Sequence, residues 1–277
     1  MNGIWHSLLI RLPFEWAQYA FMRNALMAII LIAPICGVLG TLIVNNRMAF
    51  FADSIGHGAL AGLAAGVIFG CSDPSISLIL FAALFAIALV MLRKITSAST
   101  DTIIATVTAT TVAGGIVILS RGGGFSKFTR YLIGDILSIS PKEIYILAVV
   151  LIATVTIWLV FFNKFLLSAL NVSIAKTRGI NPFLMELLFS IIVALVIAVA
   201  IPWVGLFIIS SLLVLPAAAA RNICNRVYSY HIFSVTFAIL SGIIGLQLSY
   251  SWNTATGATI VLVSAAFFFI TLFFRKK

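Results

Sequence analysis

The chain has 277 residues, of which 62% are hydrophobic and only 9% charged, against roughly 25% charged in a soluble domain, and this excludes an ordinary water-soluble fold. Its formal charge of +10 does not point to nucleic acid, because the Lys and Arg residues fall in short clusters between apolar runs, as they do at the cytoplasmic flanks of membrane spans. Several runs approach or exceed the roughly 20 apolar residues that cross a hydrocarbon core about 30 Å thick, and the strand alternation of a transmembrane barrel is absent. The expected fold class is therefore an all-α polytopic membrane protein.

The N-terminal stretch MNGIWHSLLIRLPFEWAQYAFMRN lacks the pattern of a secretory signal, since Arg11, Pro13 and Glu15 interrupt it. Its Trp5, Trp16, Tyr19 and Arg23 suit a segment, residues 1–23, lying at the membrane interface. Nine spans follow, at about 24–44, 49–69, 75–92, 102–119, 144–162, 183–201, 204–215, 228–248 and 255–274. The seventh is short, and Ile201-Pro202-Trp203 could be an outer hairpin or the break in one discontinuous helix, which would leave eight. No linker or internal repeat divides the chain, so residues 1–277 are read as a single transmembrane domain.

Lys and Arg set the expected orientation. With the N-terminus outside and the C-terminus inside, the inner loops hold Arg47, Arg93, Lys94, Lys164, Lys176, Arg178, Arg221, Arg226, Arg275, Lys276 and Lys277. Arg121, Lys127, Arg130 and Lys142 are left on an outer loop. Cys36, Cys71 and Cys224 form no CxxC or Cys/His metal spacing and read as small apolar fillers.

The second span, MAFFADSIGHGALAGLAAGVIFG, carries the chain's most informative residues. Glycine recurs at Gly58, Gly62, Gly66 and Gly70, a small-residue stripe that lets another helix approach closely in lipid. Asp53 and His57 lie one helical turn apart and share a face. A helix starting near Arg47 would put them roughly 9 and 15 Å inward. An ionised aspartate at that depth costs at least about 2.5–3.5 kcal/mol, so it should face a watery path or a partner. Carboxylate and imidazole together suit zinc and, with more oxygen donors, manganese, and two ligands alone hold an ion loosely enough to release it. The plainer reading is that Asp53 caps the helix while His57 bonds a neighbouring helix.

Other charged residues have ordinary roles to hand. Asp101 reads as a first-turn acid and Glu186, one turn into the sixth span, as an ordinary N-terminal acid, each favoured by a helix dipole. Asp135, in YLIGDILSISP, is either a solvated turn residue or a group that helps receive a cation on the outer side. Two inner loops are richer than connectors require: NKFLLSALNVSIAKTRGINP, with a short helix around Leu170–Thr177 and Gly179 as its stop, and LPAAAARNICNRV. Either could dock a cytoplasmic partner. RGGGF (Arg121–Phe125) lacks the lysine and hydroxyl residue of a P-loop, and neither HExxH nor GxSxG occurs, so the chain is expected to be no enzyme and to bind no cofactor of its own.

These residues carry a resemblance. RMAFFADSIGHGALAG, YLIGDILSISP and VGLFIISSLLVLPAAAAR resemble the membrane permease of bacterial ABC importers for zinc and manganese, from about residue 20 to the end. The resemblance implies a fold related to cobalamin and iron-siderophore permeases, in the inner membrane. It implies a second permease copy, homodimeric or paired, together with cytoplasmic ATPases that consume ATP and an external metal-binding protein. By motif, Asp53 and His57 are implied as the metal pair of the pathway. The implied ATPase-coupling segment is Ser168, Ala169, Leu170, Asn171, Val172, Ser173, Ile174, Ala175, Lys176, Thr177, Arg178 and Gly179. Departures are Ala52, where many members have glycine, Gly56 and Gly58 as the small residues beside the histidine, and Asn253, where zinc-type members often show aspartate. With zinc as the expected ion, the remaining alternatives are a manganese or iron importer permease of the same family and a proton-coupled secondary metal transporter.

Overall fold

The computed structural model describes residues 15–70, 74–121 and 135–274. Outside them lie residues 1–14 of the expected interfacial segment with Trp5, Cys71, most of the RGGGF loop, Lys127 and Arg130, and the terminal Arg275, Lys276 and Lys277. The described residues are helical apart from turns and connectors, and contain no strand. In chain order the helices are α1 (Ala20–Asn45), α2 (Ala49–Ile68), α3 (Pro74–Ile95), α4 (Thr100–Arg121), α5 (Pro141–Leu170), the short α6 (Val172–Thr177), α7 (Pro182–Val204), α8 (Leu206–Ile223), α9 (Val227–Trp252) and α10 (Thr256–Phe273). Single 3-10 turns occupy Glu15–Gln18 and Ile136–Ser138.

Among the described residues the nine long helices coincide with the nine expected spans to within a few residues, except α5 and α8, which both run well past their expected ends, α8 carrying Leu215–Ile223 of the stretch expected as an inner loop. Among the described residues, seven helices are long and apolar enough by themselves to cross a membrane, while α8 offers a shorter apolar stretch, Ile208–Ile223. At 30 residues α5 extends about 45 Å, well beyond a hydrocarbon core of about 30 Å. Its last turns, through Ser168 to Leu170, belong to the segment expected as a loop. The interruption between α7 and α8 is also displaced. Pro202 lies inside α7, and the break falls at Gly205, whose φ of 87° is a conformation open in practice to glycine alone.

Two compact units form. One comprises 15–44, 135–153 and 203–274 of the described chain, the other 45–70, 74–121 and 154–202. In the first, α1 is the core element: Ala25, Ala28, Ile29, Ile32, Ala33, Ile35 and Cys36 are fully buried. Its neighbours approach to backbone contact at glycines. A Cβ on Gly40 would run into the Leu213 carbonyl oxygen of α8, and one on Gly37 would meet Val235 Cα of α9 at 2.7 Å. Ser234 Oγ adds a 2.7 Å bond to the Gly37 carbonyl. Without a hydrophobic driving force between helices in lipid, such close packing and polar contact are what hold them together. Trp16 belongs to this interior, 1% exposed, with its indole N–H donating to Gln247, and the buried Arg23 donates to the Ala17 and Gln18 carbonyls at 2.9 and 3.0 Å. Only Tyr19 of the expected interfacial set is exposed among the described residues.

The second unit is built on α2. Its Gly58 faces the Phe81 and Phe85 rings of α3, and its Gly62 sits against Phe81 and Leu78. On the α4 side, Ala64 packs with Leu119 and Val112. Phe165 of α5 meets Phe189 of α7 edge-on, with ring centroids 5.7 Å apart.

Candidate metal pair and inner segment

Asp53 and His57 stand on the fifth and ninth residues of α2, about 6 and 12 Å along the helix from its first residue. The helix starts at Ala49 rather than Arg47, which takes the left-handed turn before it with φ 56°. Asp53 is thus too far in to cap the helix. His57 Nε2 lies 3.6 Å from Asp53 Oδ2, longer than a hydrogen bond. A tetrahedral ion with donors at about 2.0–2.1 Å spaces neighbouring donors about 3.3 Å apart, so a small rotation would let both touch one cation. Among the described residues no group of three or more His, Cys, Asp or Glu gathers anywhere, at this pair or elsewhere.

Their surroundings are sharply different from their own exposure. Ala52, Ser54 and Ile55 are buried, at 0, 5 and 2% exposed, while the side chains of His57 and Asp53 are 42% and 50% exposed. Ser54 turns its hydroxyl back onto the Phe50 carbonyl at 2.6 Å. One face of α2 is therefore packed, and the other presents two ionisable groups. A charged face at that position is stable only against water or another polar surface.

The glycines divide. Gly58, Gly62 and Gly66 are buried, but Gly70 is exposed beyond the end of α2, with φ 63° and nothing within 4 Å of where a Cβ would stand. It is a turn residue rather than a packing one, because the helix stops at Ile68 before the stripe reaches its fourth glycine.

Asp135 is exposed and caps the Ile136–Ser138 turn, its Oδ1 accepting from Leu137 N at 3.0 Å. Buried Ile136 and Ile139 anchor that turn. Asp101 is an exposed first-turn residue of α4.

The segment expected on the inner side is an ordered succession of capped turns. Asn171 Oδ1 accepts from Ser173 N and Ile174 N at 3.0 and 3.1 Å, which starts α6. Gly179, at φ 72°, ends it, and Ile180 N returns to the Ala175 carbonyl at 3.0 Å, closing the helix C-terminus. Asn181 Oδ1 then accepts from Phe183 N and Leu184 N at 3.1 and 3.4 Å to start α7. Ala175 is fully buried, whereas Leu170, Val172 and Ile174 are exposed. Exposed apolar side chains on and beside a short, well-capped helix offer a surface suited to a protein partner.

One contact was not legible residue by residue. Glu186 of α7 forms an ion pair with Arg93 of α3, and the adjacent Lys94 Nζ stands 4.5 Å from the centre of the Phe183 ring. These residues, with Val90 and Thr100, line a cavity of about 280 Å³. The available signal was that positive-inside reasoning puts the end of the third span and the start of the sixth on one side of the membrane, with opposite charges. Cys224 lies just past α8, and burial pushes its thiol pKa up.

Residues 18–275 match the ABC 3 transport family. The chain belongs to that family. It is a multi-pass membrane protein and a transport component. It is 32% identical to the high-affinity zinc uptake system membrane protein ZnuB of Haemophilus influenzae over 94% of this chain and 100% of that one. To the manganese transport system membrane protein MntC of Listeria monocytogenes it is 28% identical, over 94% and 92%. Among solved structures, PsaBC from Streptococcus pneumoniae in complex with Fab superposes with a TM-score of 0.81 at 29% identity, covering 92% of each chain.

Proposed function

We propose that this chain is the permease subunit of an ATP-binding cassette importer that carries divalent metal, zinc ahead of manganese, across the inner membrane of a bacterium. The observation that carries this reading is the family match over nearly the whole chain, with relatives named for zinc and for manganese uptake. Asp53 and His57 are the pathway residues. Their donor types and 3.6 Å separation suit a cation held by two protein ligands, with water completing its shell, so that it is bound and then released. Manganese is the second reading, supported by the relatives named for it and by the carboxylate donor.

In this account the chain breaks no bond. An external binding protein delivers the ion at the outer side, where the exposed Asp135 attracts it, and two permease copies enclose the route. Cytoplasmic ATPases dock on Ser168–Gly179 and drive the change of access. The N-terminus is outside and the C-terminus inside, and the whole chain works as one permease domain.

The test is uptake of radiolabelled zinc and manganese into vesicles holding the permease with its ATPase and binding protein. Accumulation should require ATP and persist when a protonophore collapses the proton gradient. Uptake that ignores ATP and vanishes with the gradient would instead establish the proton-coupled secondary transporter.

A further inference from the structure

The Arg93–Glu186 ion pair stands at a place where its static stabilisation is small. Its side chains are 24% and 36% exposed, and pairs that wet contribute about 0–1 kcal/mol. Its position is more informative than its strength. Glu186 follows the cap Asn181 by five residues, so it rides on the first turns of the helix that α6 leads into through Gly179 and Ile180. Arg93 and Lys94 form the last turn of α3. Two neighbouring contacts, Arg93 to Glu186 and Lys94 to the Phe183 ring, fasten these two helix ends together. From there α3 runs back along α2, meeting it at Gly58 and Gly62 through Leu78, Phe81 and Phe85, on the helix that bears Asp53 and His57.

We propose that Arg93–Glu186, supported by Lys94–Phe183, is the joint through which movement of the inner segment Asn171–Asn181 is passed to α3 and thence to the metal-pair helix α2. These four are positioning residues, since none touches the ion. The proposal rests on the transport reading above. Asn171 and Asn181 caps make the segment move as a piece, and the backbone-close contact at Gly62 leaves α2 and α3 little freedom to slide separately. The joint between them is made of long side chains beside a cavity of about 280 Å³, and it is the part of the chain of contacts that a charge change can open.

The experiment measures zinc or manganese uptake, whichever the wild-type complex performs, and phosphate release in the same vesicles, using the full permease–ATPase complex. Arg93→Glu and Glu186→Arg each place like charges together and should lower the ions moved per ATP by about tenfold or more while ATP hydrolysis continues. The double exchange, R93E with E186R, should return the ratio to within about threefold of wild type. Glu186→Gln keeps the shape and should lower the ratio less, which covers the case in which a reversal fails to assemble. Glu143→Gln, an acid bonded locally to Ser140 N, should leave it unchanged. An unaltered ratio in Glu186→Gln and in the assembled reversals, or reversals not rescued by the exchange, overturns the joint. A wild-type complex that moves neither ion with ATP overturns the transport reading, and the joint with it.

Discussion

Replacing Gly62 with alanine puts a methyl group where α2 and α3 touch. A Cβ there would stand 2.9 Å from Phe81 Cβ, 3.2 Å from Phe81 Cγ and 3.3 Å from Leu78 Cα. Phe81 Cβ does not move when the ring rotates, so the backbone of α3 must yield, and overpacking of this kind costs about 1–3 kcal/mol. The better helix propensity of alanine offsets roughly 1 kcal/mol of that, for a net loss of about 0–2 kcal/mol. Gly114→Ala in α4 has the same propensity gain with no atom within 4 Å of the new Cβ. The two variants should therefore differ by the overpacking cost alone, about 1–3 kcal/mol, or about 2–12 °C in melting temperature at roughly 2–4 °C per kcal/mol. The assay is thermal unfolding followed by intrinsic fluorescence in one detergent, and Gly62→Leu should melt lower still. A Gly62→Ala protein melting at or above Gly114→Ala would refute the close approach of α2 to α3.

Asn171→Ala removes both bonds that start α6, a loss of about 0.5–2 kcal/mol, so amide exchange across Val172–Thr177 should quicken about 2- to 30-fold; unchanged protection would mean that the cap does not hold the helix. Asp135→Asn preserves a good capping residue but removes the charge. Uptake should fall at low external metal and recover at high metal, whereas equal uptake at every concentration would remove Asp135 from the route.

Much of the architecture could be read from the sequence because long apolar runs bounded by charge have few alternatives. The departures have local causes. Asn163 and Lys164 suggested the end of a span, but NKFLLSAL is good helix-forming sequence and nothing halts α5 until Asn171 offers a cap. Pro202 suggested the break between α7 and α8, yet the helix runs through it, and the chain turns at Gly205 because that φ is costly for any other residue. The turn at Gly70 likewise depends on where α2 stops, which the every-fourth-residue glycine pattern does not specify.

The candidate site divides the same way. Asp53 and His57 are four apart, so helical geometry alone puts them together. Arg93 and Glu186 are 93 residues apart, and each had a sufficient separate explanation, as an inner-loop charge and as an acid one turn into a helix. Only the packing of the helices brings them into contact. Trp16 misled in the opposite sense, since an aromatic near a span end suits the interface, but here it finds Gln247 and is buried.

The most direct measurement is ATP-driven uptake of radiolabelled zinc and manganese by vesicles holding the complete complex, with Asp53→Ala and His57→Ala beside the wild type. Each variant should assemble with its ATPase in normal amount and yet take up neither ion above background. Undiminished uptake in both would contradict the assignment of this pair to the metal route.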